Sequence, residues 1–236
     1  MFGQYNSTFR YESGDFLVES ERADGLLTYR RRCEERAFER ILAVSETARV
    51  TVNPVEPVNL PKDITDLLQI EFAPIVIEPG ATQVIYLKFP VEIGVFLSSE
   101  KGIEILDIFS AGNQKYTLYG PPAGGVIARW YRSAVYPEIP PAERFREGVM
   151  KLSIQNTSGE WAHVSCVVFN GADMKIFYND DIVAATATMK IINPSLAETD
   201  FTDAPLIPGM TRSVELYTTR KIRVISRGYL MEWGLS

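Results

Sequence analysis

Extended stretches in which apolar and polar residues change places at every step run through most of this chain, and runs with a 3.6-residue period are scarce. A period of two puts successive side chains on opposite faces of a strand, so the chain reads as β-structure and not as a helical bundle. Residues 15–21 and 26–32 flank Asp24-Gly25. An Asp-Gly pair between extended runs marks a tight hairpin, because both central residues take positive φ. Residues 36–44 continue that meander. The competing reading is a short helix, since Tyr29, Cys33, Ala37 and Ile41 recur every four residues; the hairpin turn favours strands. Further strands are expected at 68–72, 82–89, 91–97, 103–109, 115–119 and 126–131, then at 149–155, 162–169, 175–178, 182–192, 213–218 and 221–226.

The fold class that follows is all-β, as two immunoglobulin-like β-sandwich domains. The segment Tyr136-Pro-Glu-Ile-Pro-Pro141 is the expected linker, because its prolines keep the backbone extended and remove ladder donors. Residues 1–140 then form one sandwich enlarged by the N-terminal meander, and residues 141–236 the other. An internal pseudo-repeat supports the division: Pro79-Gly80-Ala-Thr82-Gln-Val-Ile85-Tyr-Leu87 echoes Pro208-Gly209-Met-Thr211-Arg-Ser-Val214-Glu-Leu216. The same offset carries on from Ile93 to Ile222 and from Val95 to Val224.

Composition removes several functions. The 236 residues carry a net charge of −6, the wrong sign for a nucleic-acid binder with its basic face. No apolar run approaches the roughly 18 residues that span a bilayer; residues 91–97 are interrupted by Glu92 and Gly94. The opening Met1-Phe-Gly-Gln-Tyr lacks the basic start and apolar core of a secretory signal, so a cytoplasmic location is expected. Cys33, Cys166 and the single His163 have no metal-ligand spacing. No cofactor and no metal are expected, although acidic residues at Asp173, 179–181 and 198–203 resemble the oxygen donors of a calcium loop.

Three constellations remain. His163 alternates with apolar neighbours beside Ser165 and lacks a nucleophile elbow, so it reads as a half-exposed strand residue. Arg30, Arg32 and Arg36 belong to a dense basic cluster and are the candidate anion site, Arg30 and Arg32 pointing opposite to Arg31; Glu34, Glu35 and Glu39 offer ordinary cross-strand pairing instead. The most distinctive stretch is the turn Gly120-Pro-Pro-Ala-Gly-Gly125 and the strand after it. Tyr119, Arg129, Trp130, Tyr131 and Arg132 are the candidate partner-binding residues, since Arg and aromatic side chains together are enriched in interface hot spots.

Residues 115–132, with Leu87-Lys-Phe-Pro-Val-Glu-Ile-Gly-Val95 and the opening Met1-Phe-Gly-Gln-Tyr, resemble an archaeal family known as a domain of unknown function. That resemblance implies an archaeal source and association with small mechanosensitive-channel-type membrane proteins; it brings no active residues. The expected function is a non-enzymatic module that recognises a protein partner or its own twin, without nucleic acid and without membrane insertion. The alternatives are a receptor for a small ligand or anion (phosphate, nucleotide or sugar) and a hydrolase using two carboxylates.

Overall fold

The computed structural model describes residues 1–6, 8–14, 16–33, 36–62, 64–100, 102–216 and 228–235. These form β1 (Gly3–Tyr5), β2 (Phe9–Ser13), β3 (Phe16–Ala23), β4 (Leu26–Cys33), β5 (Arg36–Ala43), β6 (Arg49–Val55), β7 (Leu67–Ile77), β8 (Thr82–Pro90), β9 (Glu92–Ser99) and β10 (Gly102–Phe109). The chain continues through β11 (Tyr116–Tyr119), β12 (Val126–Arg132), β13 (Glu147–Asn156), β14 (Ala162–Asn170), β15 (Phe177–Tyr178), β16 (Val183–Asn193), β17 (Leu196–Thr202), β18 (Thr211–Arg212) and β19 (Tyr229–Met231). The protein is all-β. Among the described residues no helix is long and apolar enough to cross a membrane.

The N-terminal meander forms as its turn chemistry dictates. Asp24 and Gly25 take φ of 51° and 77°, and β3, β4 and β5 pair in continuous antiparallel register. Residues 36–43 are therefore a strand, and the every-four recurrence is incidental. The sheet β2-β3-β4-β5 and the sheet β1-β6-β9-β10 share one core, built from Phe16, Val18, Leu27 and Tyr29 of the first and Val50, Val52, Ile93 and Val95 of the second. Two further sheets, β11-β12-β7-β14 and a seven-stranded one containing β18-β15-β16-β13-β8, β17 and β19, enclose a second core that includes Leu68, Ile70, Leu87, Phe89, Met150, Leu152 and Val164.

These two lobes do not divide at residue 140. The chain leaves the first lobe after β6, returns between β8 and β9, and leaves again after β10. β8 pairs with β13 from Thr82↔Gln155 to Pro90↔Glu147, and β7 pairs with β14, so strands from both sides of the expected boundary share sheets. The proline-rich segment bends at Pro137 and Glu138, and it starts at a bridge on the edge of β8, where Tyr86 and Tyr136 exchange both main-chain hydrogen bonds. Two pairings, β7 with β12 and β13 with β16, are parallel, whereas immunoglobulin sheets are antiparallel.

The sequence echo also has a local origin. Gly80 and Gly209 adopt φ of 77° and 87° in equivalent Pro-Gly turns. They feed β8 and β18, which end opposite edges of one sheet, not equivalent places in two domains. Ile222, Val224 and the expected strand 221–226 lie outside the described residues.

Candidate functional site

Where the chain passes between the lobes it leaves a cleft of about 570 Å³. Ser110, Gly112 and Asn113 line it beyond the end of β10; Lys115, Arg129, Trp130, Tyr131, Arg132, Arg146 and Glu147 line it from the second lobe. Pro90 also lines it, so two of the segments that carry the family resemblance meet here. β12 is held in place by β11 on one side and β7 on the other, and its alternation turns neighbouring side chains to opposite faces.

Arg129 is turned inward. Its side chain is 2% exposed, stacks over the Tyr116 ring, and donates from Nη1 to the Leu60 carbonyl and the Tyr116 hydroxyl, both at 3.3 Å. Its Nη2 lies 3.9 Å from Oε1 of Glu92, which is wholly buried. The Asn59 amide donates to Glu92 Oε2 at 3.2 Å, while Oε1 has no hydrogen-bond partner among the described residues. Burial pushes the Glu92 carboxyl up to about 8, against the pull of Arg129. Glu56 is also pushed up to about 8 by burial; the Leu216 amide donates to its Oε1 and partly opposes the shift. Neither acid stands out in sequence as functional. The available signal was an acid inside an apolar run, Val91-Glu92-Ile93.

The next three residues of β12 serve the cleft differently. Tyr131 donates to Glu147 Oε1 at 2.8 Å, and Lys88 Nζ donates to Oε2 at 2.7 Å. Burial alone would raise Glu147, but those two hydrogen bonds hold it below the usual carboxylate range. Trp130 donates from its indole to Glu71 Oε2 at 3.0 Å, and Lys115 Nζ lies 5.6 Å from the centre of its ring. Arg132 is exposed. Arg146 Nε sits 3.6 Å from Glu143 Oε2.

The other predicted residues lie elsewhere. Tyr119 is buried away from the cleft and secures the C-terminal segment: its hydroxyl accepts from the Glu232 and Trp233 amides and donates to the Trp233 carbonyl. Arg30 occupies an ion-pair ladder across four strands, Arg10–Glu19–Arg30–Glu39, with contacts of 2.9, 3.7 and 2.8 Å. Arg32, in register between Leu17 and Ala37, shares the face of Arg30, and the two line a shallow pocket with Glu19 and Glu39; Arg36, opposite Cys33, falls on the other face of the sheet. Arg31 points to the opposite face, donating to Asp107 Oδ2 at 2.6 Å beside Tyr29. His163 is exposed between buried Ala162 and Val164. Of the acidic loop residues, Asp203 pairs with Arg212, and Asn179 accepts the amides of Asp181 and Ile182.

The cleft is therefore a concave site with a rigid floor and a basic, aromatic mouth. Its floor groups are engaged with one another, and its upper groups face solvent. That arrangement suits holding a ligand. No curated protein and no solved structure matches the chain. Residues 1–232 match the family described as Protein of unknown function (DUF432), and the chain belongs to that family.

Proposed function

We propose that the protein is a non-enzymatic recognition module whose interlobe cleft receives a small ligand. The supporting observation is the shape and lining of that cleft: about 570 Å³, within the roughly 300–1,000 Å³ range of small-molecule sites, with a few polar groups converging on an aromatic side chain. Arg129 and Glu147, each bound by several partners, make its floor stiff, so little ordering is needed on binding. Each lobe acts in this reading as a β-sandwich scaffold.

Gly112 provides the test. A Cβ built there meets nothing within 4 Å and its φ is not left-handed, so Gly112→Trp fills the cleft without straining the backbone. A panel of phosphates, carboxylates, nucleotides and sugars should include members that raise the melting temperature of the wild type by mass action and leave Gly112→Trp unchanged. Failure of every member, or equal stabilisation of both proteins, would reject the reading.

A second reading, recognition of a protein partner or a second copy, is favoured by a different surface. Ile64, Leu67, Val126, Ile127 and Tyr229 line an open groove, and Leu118, exposed beside them, is the cross-strand partner of Ile127. Exposed apolar surface of this kind marks interaction sites. Light scattering across a concentration series, repeated on Ile127→Asp, distinguishes it.

A further inference from the structure

Most charges around the cleft are spoken for. Lys88 pairs with Glu147, Arg129 with Glu92 and Arg146 with Glu143. Glu71, in register with Arg132, accepts the Trp130 indole proton. Among the described residues, no acid pairs with Lys115 or Arg132. Lys115 instead rests its ammonium over Trp130, and Arg132 shares the Trp130 face of β12 because the two are separated by one residue. Two cations without an acid partner among the described residues thus line one cleft together with an indole, in a protein whose net charge is −6.

We infer that Lys115 and Arg132 form an oxyanion subsite, so that the ligand of the cleft carries a phosphate or carboxylate group docked beside Trp130. The inference rests on the cleft being a ligand site. A guanidinium presents paired N–H donors that match two oxygens of either group, and the ammonium adds a mobile point charge. When an anion arrives, Lys115 has a stronger partner than the indole face, whose attraction for an exposed ammonium is weak. Binding therefore lifts the ammonium from the ring, and Trp130 reports the event.

Trp161 and Trp233 are the other two tryptophans, and neither lines the cleft. In a Trp161→Phe, Trp233→Phe background, emission comes from Trp130 alone. Inorganic phosphate and glutarate are titrated separately at constant ionic strength. A saturable change in emission is expected with at least one of them, and the one that saturates identifies the group. Lys115→Ala and Arg132→Ala should each weaken that binding at least tenfold, and Arg132→Lys by less. Both side chains are exposed, so the variants should keep the melting temperature of the background. The inference fails if neither anion gives a saturable response, or if the two alanine variants bind as well as their parent. Stabilisation by a neutral sugar that Gly112→Trp abolishes, with no response to either anion, would remove the oxyanion subsite and leave the cleft as a ligand site.

Discussion

Arg129 Nη2 and Glu92 Oε1 face each other at 3.9 Å across the junction of the lobes, with 2% and 0% of their side chains exposed. Glu92 opens β9 of the first lobe and Arg129 belongs to β12 of the second, so the pair spans the two cores and becomes a charge pair once Glu92 ionises above about pH 8. At that separation the groups attract without a direct hydrogen bond, and each leans on main chain near Asn59 and Leu60.

Removing one partner should be worse than removing both. Above about pH 8, where Glu92 is ionised, Arg129→Ala leaves a buried carboxylate without its countercharge, and breaking such a pair costs about 3–5 kcal/mol. The loss should be greater at pH 9 than at pH 6, because ionisation of Glu92 is then opposed by burial without relief from the guanidinium. Arg129→Met combined with Glu92→Gln retains the volume, carries neither charge, and should recover much of the stability. Denaturant unfolding at the two pH values measures all three quantities; a double variant less stable than Arg129→Ala would contradict the argument.

Glu56 gives the fold a pH dependence of definite sign. Its carboxyl is held up at about 8 by burial, while in the unfolded chain it ionises in the ordinary range near 4.5. Between those values the native state keeps a proton that the unfolded state releases, so stability falls as the pH climbs through this window. Glu56→Gln removes that share of the slope. It should match the wild type near pH 4 and exceed it above pH 8 by a margin on the order of 2–4 kcal/mol. Glu147 and Glu215, held low by their partners, act oppositely: their contribution is complete above the ordinary carboxylate range and is lost as the pH falls through their lowered values. Unfolding free energies from pH 4 to 9 would expose an error, for Glu56→Gln would then keep the wild-type slope.

The local and the long-range parts of this structure differ in how far sequence reveals them. Asp24-Gly25 specifies its own turn, and alternation placed Arg31 opposite Arg30 and Arg32 before any partner was known. Period two says which side chains share a face, but not which strands become neighbours. The joining of β8 to β13, and hence the discontinuous lobes, depends on complementarity between distant segments and has no local marker. Arg129 shows the same limit within the site. Alternation groups it with Tyr131, yet its burial is decided by acceptors supplied from Leu60 and Glu92. Trp130 and Arg132 are legible as neighbours because alternation puts them on one face of a strand, whereas Lys115, whose ammonium rests over Trp130, precedes β11 on the far side of the turn and carries no such signal.

Tyr119 is a clasp for the C-terminal segment. Tyr119→Phe deletes three hydrogen bonds to the main chain of Glu232 and Trp233 while leaving the ring in place. The expected loss is about 1–2 kcal/mol, since water reaches part of this segment and replaces some of what is lost. Hydrogen exchange at the Glu232 and Trp233 amides should accelerate, with β13 and β16 unaffected. Unchanged exchange at those two amides would show that Leu235, which bridges to Val164, holds the segment without help.

Gly148 is required by its cross-strand neighbour. It stands in register with Phe89, whose ring lies where a side chain at 148 would begin: an added Cβ would come 2.2 Å from Phe89 Cζ. Phe89 is wholly buried and belongs to the core of the second lobe, so it cannot swing into solvent. Gly148→Ala should therefore destabilise by about 1–3 kcal/mol through overpacking, despite adding only a methyl group. Phe89→Leu alone costs transfer and cavity energy in the same core. In the double variant the methyl enters space that the shortened side chain has vacated, and the combined loss should fall short of the sum of the single losses by more than about 0.5 kcal/mol. Strict additivity in a denaturant double-mutant cycle would show that the ring does not set the requirement for glycine.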